Sequence, residues 1–157
     1  MKEKLKQFIK DNFIEEKELS FGSMRKATYY ECDYASGVDE YIKHNNSENK
    51  FQTLLFKYID ERKLKDSDVY NKVNIDRRLF SKIRSDEKYH PSKETIILLG
   101  LSLELSEDEI IELLESASYT LPKNNYFDLI IRFCFINKIY KIEEVNELLY
   151  DYNCKCL

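Results

Sequence analysis

A chain of 157 residues has room for one ordinary domain with a proper core and little room for two. Hydrophobic residues at 43% beside 34% charged ones are typical of a soluble globular protein, and only three Gly and two Pro exclude a loop-rich or β-sandwich design, so an almost entirely helical fold is expected. The net charge of −4 speaks against a polyanionic partner until its distribution is seen: residues 1–61 carry net −2, residues 62–93 net +5, and residues 94–157 net −7.

No stretch approaches the roughly 18 uncharged apolar residues that would span a bilayer, and residues 1–10 are too interrupted by charge for a signal peptide. No membrane association and a cytoplasmic location are therefore expected. Leu5, Phe8, Ile9 and Phe13 fall on one face, which predicts an amphipathic helix over about 2–15. A less regular stretch follows over 17–46, with Gly22, Gly37 and the aromatics Tyr29, Tyr30 and Tyr34, and it reads as a linker. Residues 1–46 are thus taken as an N-terminal helix and linker, and 47–157 as the main domain, with its core at 51–117 and a helical extension at 123–153.

Phe51, Leu54, Leu55, Tyr58 and Ile59 recur at i, i+3, i+4, i+7 and i+8, the strongest helical spacing in the chain. Two short helices come next, over about 66–73 and 76–85. Asn74 tolerates the left-handed backbone that ends a helix, and Asp76 can accept backbone N–H bonds as the cap of the next one. Ile75, Leu79, Phe80 and Ile83 form the inner stripe of that second helix, leaving Arg77, Arg78, Ser81, Lys82 and Arg84 outward. Pro91 and Ser92 open a further helix with Ile96, Leu99, Gly100 and Leu103 inward. Ser106 to Glu109 matches a capping box for another, with Ile110, Leu113 and Leu114 inward. Phe127, Ile130, Ile131, Cys134 and Phe135 mark a strongly apolar helix, and Ile142, Val145, Leu148, Leu149 and Tyr152 a last one.

These residues resemble the helix-turn-helix domains of phage-repressor and Cro type, the XRE-like regulators, over about 51–117. Leu64, Val69, Asn74, Ile75 and Asp76 fit the family's spacing. Phe80-Ser81 stands where it commonly has Ile-Ser, and Ser92-Lys93-Glu94-Thr95 leading into Leu98-Leu99 looks like its fourth helix. The resemblance implies a five-helix bundle, here with an N-terminal helix and two additional C-terminal helices, that binds double-stranded DNA with residues 76–85 as recognition helix. The chain is also similar to a narrower Firmicute group in which a run like Asn74 to Ser85, followed by one like Tyr89-His90-Pro91-Ser92-Lys93, occurs alone or C-terminal to larger proteins, macro-domain ones among them. Two positions depart from the repressor pattern: Asp66 replaces a common phosphate-binding Gln, and Tyr70 replaces a small residue, so that either the two helices cross differently or the ring points inward.

With DNA as partner, Arg77, Arg78, Ser81 and Lys82 are the base-reading candidates, Arg being the best suited to bidentate contact with guanine. Arg84, Lys88, Ser92 and Lys93 are the phosphate candidates; about six neutralised phosphates would give a log–log salt slope near −5. The implied function is a DNA-binding transcriptional regulator, homodimeric through the acidic C-terminal helices. The alternative is a protein-interaction or inhibitory adaptor module on the same scaffold, using those helices or the Tyr-rich linker and suited to phage or defence systems.

Catalysis finds little support. His44 and His90 sit in no nucleophilic or metal-binding spacing, Gly22, Gly37 and Gly100 are isolated, and Asp108-Glu109 and Glu143-Glu144 read as first-turn helix residues. Cys134 lies on an apolar stripe, Cys32 in the linker, and Cys154 and Cys156 form a C-x-C without a second pair nearby. Free thiols, no metal and no cofactor are expected.

Overall fold

Short polar caps and apolar stripes divide the chain into helices. The computed structural model describes residues 1–14 and 50–157, and among them there are eight helices and no strand: α1 (Lys2–Asn12), α2 (Lys50–Glu61), α3 (Asp66–Lys72), α4 (Arg77–Ser85), α5 (Lys93–Ser102), α6 (Glu107–Ser116), α7 (Tyr126–Ile136) and α8 (Ile142–Asp151). The readings placed on Tyr29, Tyr30, Tyr34, Cys32 and His44 lie outside the described residues. Among the described helices none is long and apolar enough to cross a membrane.

Four helices start on side-chain caps. Asp76 accepts from the Arg78 N–H, Ser92 from Thr95 and Asn125 from Asp128, while Ser106 and Glu109 form the full reciprocal capping box. The helix ends explain how so few glycines suffice. Lys63, Asn74, Glu104, Ser118, Lys138 and Asn153 all have φ between 53° and 61°. The residue after each donates its N–H to the carbonyl five positions back: Leu64 to Ile59, Ile75 to Tyr70, Leu105 to Gly100, Tyr119 to Leu114, Ile139 to Cys134 and Cys154 to Leu149, at 2.8–3.2 Å. This is the Schellman closure, and it drives Ile75, Leu105 and Ile139 into the core directly after the turn. Of the six left-handed positions, only Asn74 and Asn153 carry a residue type that favours the conformation.

A left-handed Lys or Glu is strained where Gly would not be. Lys138→Gly is therefore expected to stabilise the fold by roughly 0.5 kcal/mol after the added chain entropy of Gly is subtracted. Thermal melting would show it as a small rise in Tm, and a fall would contradict the closure.

Two helices are apolar nearly all round and occupy the centre. In α5 the buried set is Ile96, Ile97, Leu99, Gly100, Leu101 and Ser102, wider than the one face expected, because α3 and α6 both pack on it. A Cβ on Gly100 would stand 2.5 Å from Ile110 Cδ1 and 3.2 Å from Phe135, so the missing side chain lets α5 close on α6 and α7. Helix α7 buries Leu129, Ile130, Ile131, Phe133, Cys134 and Phe135 among α1, α6 and α8. Burial pushes the Cys134 thiol up to about 12, which makes it an inert core group.

Helix α1, assigned from sequence to the N-terminal segment, is a layer of the same compact unit as residues 50–157. Leu5 and Ile9 are buried, the Phe8 ring lies 5.5 Å from Phe133, and Phe13 stacks on Tyr126 at 5.1 Å. The Ile14 N–H donates to the Lys123 carbonyl at 2.9 Å, and Lys2 pairs with Glu147 and Asp151 of α8. Tyr70 is half-buried with its ring 5.6 Å from Phe80, so the aromatic departure at this position is accommodated by packing between α3 and α4.

Candidate nucleic-acid interface

Helix α4 follows α3 through a four-residue corner whose geometry comes from its sequence. Asn74 takes the left-handed φ of 53°, the Ile75 N–H closes on the Tyr70 carbonyl at 2.9 Å, and Asp76 Oδ1 accepts the Arg78 N–H at 2.7 Å. Phe80 and Ile83 are buried and Leu79 half-buried, which fixes the rotation of α4 about its axis. Arg77, Arg78, Ser81, Lys82, Arg84 and Ser85 consequently all stand exposed. Gln52 on α2 finishes the other end, donating through Nε2 to the carbonyls of Ile83 at 2.6 Å and Asp86 at 3.0 Å; these are the groups a helix C-terminus leaves open. Sequence reading had no means to find this, since the partner lies some thirty residues away.

Charge on this face is less uniform than its composition. Within the basic segment, Arg62 pairs with Glu109, Lys72 with Glu104, Arg84 with Asp66 and Lys93 with Asp128. Arg77, Arg78, Lys82 and Lys88 form no ion pair with a described residue. Lys82 instead lies over the Tyr89 ring, its Nζ 4.5 Å from the centroid. Between the start of α3 and α4 an open cleft of about 430 Å³ is lined by Lys65, Asp66, Tyr70, Arg77, Ser81 and Arg84.

The four phosphate candidates fare unequally. Lys88 is exposed, and its backbone N–H is held by the Asp86 side chain at 3.0 Å. Arg84 donates from Nη2 to Asp66 Oδ1 at 2.7 Å and rests its guanidinium 4.3 Å over the Phe56 ring, so its charge is already shared. Ser92 spends its hydroxyl oxygen on the Thr95 N–H at 3.2 Å. Beside it, the backbone N–H of Glu94 holds the Glu94 carboxyl below the usual carboxylate range, so the α5 terminus already carries an anion of its own.

Lys93 is the most fully engaged of the four. Its Nζ meets Asp128 Oδ1 at 2.5 Å, Asp128 is only 3% exposed, and Oδ2 accepts from Asn125 Nδ2 at 2.6 Å. A buried carboxylate holds its counterion far more strongly than a solvated phosphate could compete for it, so Lys93 joins α5 to α7 and is not a free ligand. The signal existed in the sequence only as an Asn three residues before an Asp, which marks a cap but not the incoming lysine.

His90 bonds through Nε2 to the Ala117 carbonyl at 2.8 Å and packs against the Tyr119 ring, tying the loop before Pro91 to the end of α6. Among the described residues no group of three or more His, Cys, Asp or Glu is arranged to hold a metal ion. No protein-family model, no curated protein and no solved structure matches this chain.

Proposed function

We propose that this protein is a transcriptional regulator that binds double-stranded DNA in the manner of the repressor-like helix-turn-helix domains, with α4 as the reading element. At about 1.5 Å per residue the nine residues of α4 extend some 13 Å, a length and diameter that the B-form major groove admits. Arg77, Arg78, Ser81 and Lys82 face the base edges, with Arg77 and Arg78 as the bidentate guanine donors, and Lys88 engages the phosphate backbone. The observation that carries this reading is the joint exposure of Arg77, Arg78 and Lys82 on one helix face without an ion pair to any described residue.

Gel retardation of a random duplex at low salt tests it. The wild type is expected to shift the duplex, and Arg77→Ala combined with Lys82→Ala to abolish the shift while the melting temperature holds. No retardation at any salt would transfer the function to the adaptor reading.

A further inference from the structure

One carboxylate stands in the middle of the cationic face, and its placement has a consequence for how tightly the face can hold a polyanion. Asp66 is the first residue of α3 and lines the open cleft together with Lys65, Arg77, Ser81 and Arg84. Its Oδ1 takes the Arg84 Nη2 hydrogen at 2.7 Å. The opposite constraint on the same guanidinium is the Phe56 ring, 4.3 Å from its central carbon. Arg84 is therefore held from the edge by a charge and from the face by an aromatic, although half of its side chain remains accessible. Two effects on a phosphate follow. Asp66 repels it directly, and Asp66 competes with it for Arg84.

Resting on the DNA-binding reading, we infer that Asp66 is an affinity-limiting residue of the α4 face: it withholds Arg84 from the DNA backbone and thereby weakens sequence-independent binding relative to base-edge contacts from Arg77 and Arg78. An exposed ion pair of this kind adds little to stability, with measured values of about 0–1 kcal/mol, so the arrangement is not explained by folding. Its electrostatic effect on a polyanion is larger. The four charged residues lining the cleft, Lys65, Asp66, Arg77 and Arg84, sum to +2 with Asp66 ionised. An asparagine at 66 keeps the shape, can still accept a hydrogen bond from Arg84, and raises the sum by one.

The test is Asp66→Asn, with random-sequence duplex DNA as the probe and salt as the variable. Freeing one cation to neutralise one more phosphate steepens the log–log salt slope by about 0.9, and at about 0.1 M salt that corresponds to roughly eightfold tighter binding. Asp66→Asn is expected to show both changes, and Asp66→Asn with Arg84→Ala to return the slope to the wild-type value. Melting of each variant confirms folding. If the wild type binds and Asp66→Asn binds no more tightly, this inference fails while the DNA-binding reading stands. If the wild type binds at no salt, both fall, whatever Asp66→Asn does.

Discussion

Lys93→Ala is expected to cost about 3–5 kcal/mol of stability. The physical reason is the carboxylate it leaves behind. Asp128 is 3% exposed, and once Lys93 is gone only the Asn125 amide remains, among the described residues, to offset its charge. At about 2–4 °C of Tm per kcal/mol for a chain of this size, melting should begin on the order of 10 °C lower. Lys93→Met paired with Asp128→Asn removes both charges and retains a hydrogen-bonding cap, so most of the loss should return. Equal damage from the single and double variants would mean that the charge left on Asp128 is not what costs the stability, and an unchanged Tm would show that Asp128 is hydrated rather than buried.

A loss of similar size is expected from Phe133→Ala, about 3–5 kcal/mol for truncation of a large buried aromatic. Phe133 is 2% exposed on α7 and meets Phe8 of α1 at 5.5 Å between ring centres. The substitution therefore opens a cavity at the α1–α7 contact and should loosen α1 specifically. Hydrogen exchange of the α1 amides, measured beside those of α5, separates the two effects: α1 should lose protection first. Uniform loss across both helices would place Phe133 in the common core without a special role in holding α1.

The parts of the fold that were legible in the sequence are those governed by local physics. The i, i+3, i+4 stripes gave the helices, Ser106 with Glu109 gave a capping box, and Asn74 with Asp76 gave the corner before α4, because each depends on residues within a turn of one another. The helix ends were mostly silent, since Lys63, Glu104, Ser118 and Lys138 adopt the left-handed conformation with side chains that do not favour it. At Glu104 and Lys138 the apolar residue that follows, Leu105 or Ile139, is buried, and that burial helps to offset the strain.

On the α4 face, outward direction was legible and charge state was not. Periodicity placed Arg77, Arg78, Ser81, Lys82 and Arg84 outside, but pairing is decided by residues distant in sequence: Asp66 lies 18 positions before Arg84, and Asp128 lies 35 after Lys93. Composition alone counted both cations as available. With Arg84 and Lys93 engaged, and Ser92 closed by its own cap, the candidate contacts shrink to Arg77, Arg78, Ser81, Lys82 and Lys88, and the salt dependence expected of them shrinks in proportion.

That proportion makes the salt titration the most direct measurement of whether α4 binds DNA. Anisotropy of a labelled duplex, followed as salt is raised, should give a log–log slope between about −2.7 and −3.6 for each protomer, since three to four cations displace counterions at about 0.9 each. A slope near zero, or binding that survives Arg77→Ala with Lys82→Ala unchanged, would contradict the account.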